Sequence, residues 1–514
     1  MTEKSTIEST CDSRFSRRGF LRSAALAGAA GGLAACKRGP LIAPFQPHRP
    51  EGALQVALVG CGAQGNAIWT AISRIQDATK VPHIRAVVDI NRTARAELQS
   101  NLTPLGHDAR DYSSIEEMLE NEQGLDAVIV ATPDWVHHTH TILAMEAGCH
   151  VYCEKMMSNR IEWAREMVVA SREKNKLLQI GHQRRSSPRY IALRDGIIGR
   201  HKGLGQLTHA YGQWHRSLAA SRPLAPAAGD GRREEMARAA GYDNVYEYRN
   251  WRHFQKYGGG ILSDLGAHQI DVFNWFYQAL PTSLQAMGGV DYWTPDNPQG
   301  TYELPDNVMV MYEYQMPPAL SPNNRANIAR AYYQTLTTTS IQGFHERFMG
   351  DSASAFISEL PNWNQIFRES HTEEDPAYSE IWNSMIQDGL IYRLPSDAVW
   401  RGRRSWESPK PFGRMPPAWF KTPRQEEADR RLGGAYVDVR VSADPEEYEL
   451  GALLNVPTHQ PHLLNFFDAV EKQDKSLLNC DGEEAFRTTV TVLKVYEALA
   501  NGGRYDFSPE DFVI

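Results

Sequence analysis

The chain has 514 residues, which is more than one ordinary domain needs, so two domains are expected. Hydrophobic residues make up 42% of it and charged residues 23%, as is typical of a soluble globular protein with a sizeable core. The net charge of −8 is mild for this length and gives no reason to expect nucleic acid or an anionic membrane surface as a partner. The six cysteines form no CxxC pair and no zinc-ligand spacing, so neither a disulfide scaffold nor a metal site is expected.

Residues 1–35 are expected to be an export signal and not part of the fold. Arg17 and Arg18 stand before a small, weakly apolar run, which resembles a twin-arginine signal. That run is shorter than the ~20 residues a membrane-spanning helix needs. It ends at Cys36 in a sequence that looks like a bacterial lipobox, which would make proline-rich residues 36–51 a lipoprotein tether. A plain signal peptide that happens to be followed by a cysteine is the alternative.

Export has a consequence for function. The chain is expected to be periplasmic or otherwise outside the cytoplasm, where no pool of soluble cofactor exists. A cofactor-dependent enzyme in that place should hold its cofactor tightly.

Residues 52–183 alternate between short apolar runs and helical patterns. Continuous apolar strands separated by helices predict a parallel sheet covered on both faces, so the fold class is α/β, with a doubly wound Rossmann domain. The predicted strands are 54–59, 84–88, 126–130, 150–153 and 177–180, and the predicted helices are 64–75, 137–148 and 161–174.

Residues 184–514 have a different texture, with longer and partly alternating runs rich in aromatic and β-branched side chains. These predict a C-terminal α+β domain with a large, mostly antiparallel sheet, for substrate binding and oligomer contacts. Segments near 223–241 and 361–431 are expected to be insertions over that sheet, and two C-terminal helices to pack back on the second domain. The predicted strands are 207–214, 308–314, 336–344 and 353–358, and the helices are 462–470 and 483–501.

A GxGxxG turn directly follows the first strand and opens the first helix. Its glycines permit a tight turn and close approach of the backbone to a pyrophosphate, which the helix N-terminus would bind. Asp89 ends the next strand, where a carboxylate can accept both ribose hydroxyls and would repel a 2′-phosphate, so NAD(H) is favoured over NADP(H). Arg92 is a further cofactor contact that could cover the adenine or offset that charge. The turn residues expected to bind cofactor are Gly60, Gly62, Ala63, Gln64 and Gly65.

The ends of the later strands supply more candidates, because dinucleotides bind at the carboxyl edge of such a sheet. Ala131, Thr132 and Pro133 follow the third predicted strand, and His137 lies just beyond them. Glu154 and Lys155 end the fourth. All six are predicted cofactor contacts.

Glu154-Lys155-Met156 resembles the Glu-Lys-Pro motif of the glucose–fructose oxidoreductase, inositol dehydrogenase and rhizopine-catabolism family, written Gfo/Idh/MocA. Members of that family also carry a Trp-Arg pair, three glycines, an Asp and a His four residues on. This chain has Trp251-Arg252, Gly258 to Gly260, Asp264 and His268 at that spacing. Met156 replaces the family's proline.

The resemblance implies a hydride-transfer site on a sugar, glycoside or polyol hydroxyl, with Lys155, Asp264 and His268 as the catalytic residues. His268 would be the general base, Lys155 would stabilise the developing alkoxide, and Asp264 would hold the hydroxyl and raise the basicity of the imidazole. Asp271 could orient His268. The cofactor would be tightly bound, recycling NAD(H), and a homo-oligomer is expected. Candidate substrate contacts are Arg184, Arg185, His215, Trp251 and Arg252.

Two other functions stay open at this point. The same residues could form a keto-sugar transiently, so that elimination, water addition and re-reduction give net cleavage of a glycoside. A non-catalytic surface lipoprotein that binds sugar or protein is a third hypothesis, and the joint presence of the glycines, Asp89, Lys155, Asp264 and His268 speaks against it.

Overall fold

The structure is a computed structural model whose described residues belong to one compact unit. The expected signal, the tether with Cys36 and residues 394–431 of the second insertion lie outside the described residues. Within the described part of the chain, no helix is long and apolar enough to cross a membrane. The structure describes residues 52–225, 231–361, 363–373, 375–393 and 445–514.

A six-stranded, fully parallel sheet has the order β3-β2-β1-β4-β5-β6. Apolar strands buried on both faces give this doubly wound arrangement, which confirms the predicted Rossmann sheet. The carboxyl ends of its strands meet along one edge, which we call the carboxyl edge. The strands are β1 Gln55–Val59, β2 His83–Val88, β3 Arg110–Tyr112, β4 Ala127–Val130, β5 His150–Cys153 and β6 Leu178–Ile180.

Five helices connect these strands. Gly148 has a left-handed φ of +88° just after the fourth helix, as its predicted place in a C-cap requires. That helix begins at Asp134, earlier than predicted, because Pro133 stands in its N-cap position. The helices are α1 Ala63–Ser73, α2 Arg92–Leu102, α3 Ile115–Asn121, α4 Asp134–Glu146 and α5 Ile161–Glu173.

A second, ten-stranded sheet has the order β14-β15-β13-β12-β11-β7-β10-β9-β8-β16. All its pairs are antiparallel except β7 with β10, which confirms the predicted mostly antiparallel sheet. Its strands are β7 Leu207–His215, β8 Pro281–Gly289, β9 Asn307–Gln315, β10 Ile328–Leu336, β11 Phe344–Gly350, β12 Ala353–Ile357, β13 Gln365–Arg368, β14 Ile391–Arg393, β15 Glu446–Leu450 and β16 Arg504–Asp506.

The helices after β6 include two π-helical segments, Ala192–Arg200 and Leu262–Gly266. The second runs directly into α10, so Asp264 lies in the π-helical turn and His268 in the α-helix that follows it. The α-helices described here are α6 Pro188–Ile191, α7 Leu218–Ser221, α8 Gly231–Ala239, α9 Val245–Arg249, α10 Ala267–Tyr277, α11 Pro376–Gln387, α12 Gln460–Lys472 and α13 Gly482–Ala500.

The predicted strand 336–344 is wrong. Strand β10 ends at Leu336 and β11 begins at Phe344. Between them Gln342 and Gly343 have left-handed φ values of 60° and 56°, which no strand accommodates. The β-branched residues of this stretch therefore form a connection.

The second insertion does not simply lie over the sheet. Strand β13 pairs with β12 and β15, and β14 pairs with β15, so the described part of 361–431 extends the sheet at one edge. Trp382 and Met385 of α11 are buried in the same hydrophobic cluster as the sheet. These strands are short and lack a long alternating pattern, so the sequence alone does not indicate that they extend the sheet.

The C-terminal helices pack differently from the expectation. Leu463, Phe466 and Phe467 of α12 are buried in a cluster with the first sheet, so the prediction for this helix is wrong. Helix α13 places Phe486 against the first sheet and Val495 in the core of the second. Both helices therefore pack against the Rossmann sheet, and α13 also packs in the core of the second sheet.

Candidate functional site

The glycine turn after β1 has the geometry of a dinucleotide site. Gly60 has a φ of +101°, and a Cβ there would overlap the carbonyl of Ala131, while a Cβ at Gly65 would overlap the carbonyl of Gly60. Gly62 is different, because a Cβ there would meet nothing within 4 Å. The exposed backbone of Gly62 and Ala63 thus opens the N-terminus of α1 to an anion. These residues fit the pyrophosphate of NAD(H).

Asp89 follows β2 and braces the same turn. Its carboxylate accepts the N–H of Cys61 at 2.8 Å and that of Asn91 at 2.7 Å. Burial raises its pKa. Arg92 is exposed at the start of α2, and Arg95 donates to the carbonyl of Asp89. Both carboxylate oxygens therefore accept backbone N–H groups, and Arg95 is a neighbour that the sequence reasoning missed.

The residues after β4 form the next part of the carboxyl edge. The N–H of Ala131 donates to the carbonyl of Val59 at 2.7 Å, and Gln64 of the glycine turn lies 3.0 Å from the ring of His459. The Thr132 hydroxyl lies 3.1 Å from Nδ1 of His140. The loop therefore packs directly beside the glycine turn.

His137 does not offer a nitrogen to a cofactor. Its Nδ1 lies 2.8 Å from the carbonyl of Met156 and its Nε2 2.7 Å from the carbonyl of Thr132. Both ring atoms are thus engaged by backbone, and burial lowers the pKa of the imidazole. His137 ties the loop after β4 to the loop after β5, which is a positioning role.

Glu154, Lys155 and Met156 follow β5. The buried carboxylate of Glu154 accepts the Tyr152 hydroxyl at 3.3 Å and lies against Gly181, where a Cβ would come within 2.9 Å of it. The peptide bond between Lys155 and Met156 is cis, and Met156 is buried in the core of the second sheet. Met156 therefore occupies the family's proline position with its side chain in the core.

Lys155 and Asp264 meet across the cleft between the two sheets. The ammonium of Lys155 donates to the Asp264 carbonyl and lies 3.8 Å from its carboxylate. Arg252 and Arg216 bind that carboxylate at 3.0 and 3.1 Å. Burial alone would raise the pKa of Asp264, but Arg252, Lys155 and Arg216 hold it well below its usual range, whereas burial lowers the pKa of Lys155. Asp264 is thus a fixed anion held by arginines, and among the described contacts it makes no hydrogen bond to His268.

Asp134, the first residue of α4, is a member of the site that the sequence reasoning missed. It is buried, and burial raises its pKa to about 7, although Lys155 and Arg252 act in the opposite direction. A carboxyl group that titrates near neutrality beside Lys155 can carry a proton. Its place directly after Pro133, at the end of β4, was the available signal.

His268 lies on α10 beside the lysine. Its ring stacks on Trp214 at 5.5 Å, and burial and the charge of Lys155 lower its pKa well below 6.5. Its Nδ1 is buried without a partner among the described residues. The imidazole is therefore neutral at physiological pH, as a general base must be.

His182 is a second imidazole that the sequence reasoning missed. It follows Gly181 at the end of β6, and its ring lies edge-on to His268 with centroids 6.5 Å apart. Its Nδ1 is 3.7 Å from Asp271, whose carboxylate is held by Arg185 and Thr488, both at 2.8 Å. Asp271 therefore faces His182, and no hydrogen bond from it to His268 is found among the described residues.

The predicted substrate contacts fall into two groups. Arg184 and Arg185 are buried in ion pairs, the first with Glu346 and Glu359 and the second with Asp271, so they stabilise the fold around the cleft. His215 donates from Nδ1 to the carbonyl of Ile341 (3.1 Å), and its Nε2 is buried without a partner among the described residues.

Trp251 and Arg252 form the other group. The guanidinium of Arg252 lies 4.3 Å from the ring centre of Trp251 while it binds Asp264. Arg252 and Lys155 therefore approach the same Asp264 carboxylate. In the described ranges no cluster of three or more His, Cys, Asp or Glu side chains could hold a metal ion.

Comparison with known proteins identifies both parts of this architecture. Residues 54–182 match the Gfo/Idh/MocA oxidoreductase family model for the NAD-binding Rossmann fold, and residues 203–318 match the family's C-terminal domain. Each segment is therefore similar to the domain of that family whose model it matches.

Curated relatives match over part of their length. The chain is 40% identical over 88 residues to 1,5-anhydro-D-fructose reductase of Ensifer adhaerens, covering 17% of this chain and 26% of the relative. It is 28% identical over 145 residues to inositol 2-dehydrogenase of Paracoccus denitrificans, covering 28% and 41%. The chain thus spans less than half the length of these relatives.

Solved structures share the fold over most of the chain. A levoglucosan dehydrogenase in complex with NADH and levoglucosan has a TM-score of 0.58 at 17% identity, covering 89% of this chain and 99% of that one. The WlbA dehydrogenase of Bordetella pertussis, in complex with NADH and UDP-GlcNAcA, has a TM-score of 0.56 at 16% identity, covering 89% and 98%. At these identities the likeness establishes the fold alone.

Proposed function

We propose that this chain, with its two Gfo/Idh/MocA domains, is an NAD(H)-dependent oxidoreductase that acts on a sugar, glycoside or polyol hydroxyl. The observation that carries the proposal is the convergence of Lys155, from the carboxyl edge, with Asp264 and His268, from the segment before and within α10. The names of the relatives, which include reductases and dehydrogenases of sugars and inositol, support this substrate class.

The chain's own residues divide the work. Neutral His268 takes the proton of the substrate hydroxyl, because its low pKa keeps a nitrogen lone pair free at neutral pH. The Lys155 ammonium, anchored on Asp264, stabilises the developing alkoxide at a buried position where its charge is poorly screened. Bound NAD⁺ would supply the hydride acceptor. Asp134, beside Lys155, holds or releases a proton near neutral pH.

The place of action belongs to the same proposal. The pair Arg17-Arg18 and the sequence ending at Cys36 support export through a twin-arginine signal, with a lipid anchor at Cys36. An enzyme outside the cytoplasm would keep its dinucleotide and reoxidise it in place, oxidising one sugar and reducing another. A homo-oligomer is part of this proposal as well.

The test uses purified wild-type protein with no added dinucleotide. Denaturation should release NAD or NADH, and incubation with a panel of free sugars and glycosides should give a keto-sugar by mass spectrometry. A matched His268→Ala protein should bind dinucleotide equally and form no keto-sugar.

Each other outcome has a distinct meaning. A cleaved glycoside with no accumulated keto-sugar would replace net oxidation by redox-neutral cleavage. If sugar binds, and neither protein releases dinucleotide or changes any sugar, the chain is a binding lipoprotein and the proposal is wrong.

A further inference from the structure

His268, the base of the proposed reaction, has no anionic partner in the described part of the chain. The Asp264 carboxylate is bound by two arginines, and the Asp271 carboxylate is bound by Arg185 at 2.8 Å. The buried Nδ1 of His268 has no hydrogen-bond partner among the described residues either. A base that takes up a proton here becomes a buried cation, and an uncompensated buried charge is costly.

The charged and titratable groups that face His268 do not compensate that cation. Burial is the main cause of the low pKa of this imidazole, and four neighbouring groups lower the pKa further. These are Lys155 after β5, His182 and Arg184 after β6, and His459 before α12. The stabilisation of a protonated His268 is therefore to be sought in a group that carries no formal charge.

The indole of Trp214 is such a group. Its ring stacks on the imidazole of His268 with the ring centres 5.5 Å apart and the planes at 30°. The face of an indole carries partial negative charge and attracts a cation that lies within about 6 Å of the ring centre. This attraction is strongest where water is excluded, and His268 is buried. Trp214 is therefore placed to stabilise an imidazolium ion at this position.

The packing of α10 on β7 brings the two rings together. Side chains two residues apart on a strand share a face, so Gly212 and Trp214 both face α10. A Cβ at Gly212 would come within 2.9 Å of Phe273 and 3.1 Å of Gln269 on that helix. The glycine therefore allows α10 to lie directly on the strand, and His268, the neighbour of Gln269, reaches the indole.

The position of the indole is fixed by both neighbouring strands. Phe344 of β11 is the register partner of Trp214, and the two rings stack with their centres 4.3 Å apart. On the other side, the Trp214 carbonyl accepts the Thr335 hydroxyl of β10 at 2.9 Å. The ring of Trp214 is therefore already in place when charge develops on His268.

Two guanidinium groups also lie near the indole, but each has a carboxylate partner. Those of Arg184 and Arg216 are 5.7 and 5.9 Å from its ring centre. Arg184 pairs with two glutamates, and Arg216 pairs with Asp264. Of these three neighbours of the indole, His268 is the one that lacks a carboxylate partner within the described ranges.

We propose that Trp214 is a positioning residue for the base, and that its π face stabilises His268 while the imidazole is protonated. The proton passes from the substrate hydroxyl to His268 as the hydride passes from the same carbon centre to the nicotinamide, so positive charge grows on the imidazole beside the indole. The inference rests on the proposed function, because it takes His268 as the base.

The test changes the charge of the indole face and preserves the shape of the ring. The full chain is produced with mono-, di- or trifluorinated tryptophan, since fluorine withdraws electron density from the face and weakens its attraction for a cation. The rate of NADH formation in a single turnover is measured with a sugar that the wild type oxidises. Trp214→Phe protein made with the same amino acids is the matched control, because fluorine then stands at all the other tryptophans.

We expect the logarithm of the rate to fall in proportion to the number of fluorine atoms, by about tenfold in total for the trifluorinated protein. The rate in the Trp214→Phe series should not depend on fluorination. Trp214→Leu removes the π face and should lower the rate about 10- to 30-fold at saturating sugar, because the effect is on the chemical step. The fluorinated proteins keep the test valid if Trp214→Leu folds poorly.

Two results would overturn the inference, a rate that does not depend on fluorination in the wild-type sequence and an equal dependence in the Trp214→Phe proteins. If the unfluorinated wild type forms keto-sugar in either case, the proposed function stands and this inference alone fails. If the unfluorinated wild type binds dinucleotide and oxidises no sugar, the proposed function fails, and the role assigned to Trp214 fails with it.

Discussion

The carboxyl edge and the segment 258–277 supply the two halves of the site, and they hold their functional groups by different means. At the carboxyl edge the side chains bond to nearby backbone, as Asp89 does with Cys61 and His137 with Thr132. In the segment that carries α10 they are held by buried ion pairs between residues far apart in sequence, as Asp271 is by Arg185. The first half depends on backbone shape and the second on charge pairing.

The largest effect is expected where the charge pairing is broken. Asp271→Asn would leave the buried Arg185 with the partly exposed Glu484, at 3.3 Å, as its remaining counter-charge, so the free energy of unfolding should fall by about 3 kcal/mol. Glu313→Gln removes the partner of exposed Arg330 (2.7 Å) and should cost less than about 1 kcal/mol. Urea denaturation measures both. If the two variants lost similar amounts of unfolding free energy, burial would not determine how much each ion pair contributes to stability.

Backbone shape at the carboxyl edge is tested by two glycines of the same turn. Gly60→Ala places a Cβ against the Ala131 carbonyl at a positive φ and should cost about 3 kcal/mol of unfolding free energy. The Cβ of Gly62→Ala would have no atom within 4 Å, and the φ of −72° at Gly62 is one that alanine readily adopts. The free energy of unfolding should therefore stay unchanged.

The Gly62→Ala methyl would lie where the pyrophosphate approaches, so this variant should bind NAD(H) at least about tenfold more weakly. Calorimetric titration and thermal unfolding separate the two quantities. Loss of stability without loss of affinity in Gly62→Ala would contradict the assignment of the open face.

A smaller effect is expected at Asp134, where the two halves meet. Its pKa of about 7 means that it is protonated below neutrality and ionised above. The log of kcat/KM for the wild type should therefore bend near pH 7, and Asp134→Asn should lack that bend, while the limb that reports His268 stays below pH 6.5.

Stability provides an independent check on Asp134. A raised carboxyl pKa means that the folded state binds more protons than the unfolded state between about pH 4 and 7. The wild type therefore loses stability from this group as pH rises through that window. The advantage of Asp134→Asn over the wild type should grow from about pH 4 to about pH 7 and level off above it, and a flat difference would refute the raised pKa.

The smallest effect is expected at Arg92, which is exposed on α2. Arg92→Ala should change the ratio of NAD(H) to NADP(H) affinity by less than about threefold, because solvent screens its charge. Asp89→Ser, by comparison, removes the carboxylate that disfavours a 2′-phosphate and should shift the ratio further toward NADP(H). If Arg92→Ala changed this affinity ratio more than Asp89→Ser did, Arg92 and not Asp89 would be the main determinant of cofactor choice.

The carboxyl edge could be predicted well from the sequence, because its rules are local. A strand, a glycine turn and a helix follow one another along the chain, and parallel strands bring Gly60, Asp89 and Lys155 to one edge without any knowledge of packing. The same rule pointed to the ends of β4 and β6, where Asp134 and His182 lie. His137, Arg184 and Arg185 stand close to them in the sequence and carry the more obvious cofactor- and substrate-binding side chains.

The substrate side was harder to predict for physical reasons. The pairing of Asp264 with Arg216 and Arg252 depends on how the end of β7 and residues 251–253 are placed, which no local pattern contains. Asp264 lies in the π-helical turn at 262–266 and His268 in the α-helix after it, so regular α-helical spacing does not relate the two side chains. The family resemblance predicted both residues as catalytic. Their hydrogen-bond and ion-pair partners could be identified only from the structure.

The most direct measurement follows the hydride itself. Purified protein is incubated with a substrate sugar that carries deuterium at the carbon to be oxidised. The dinucleotide is then released by denaturation, and its mass is measured by mass spectrometry. The account predicts one deuterium in the nicotinamide of the wild type and none with His268→Ala, which retains its dinucleotide. Hydride transfer to the nicotinamide would be contradicted if the wild type formed product and no deuterium entered the dinucleotide.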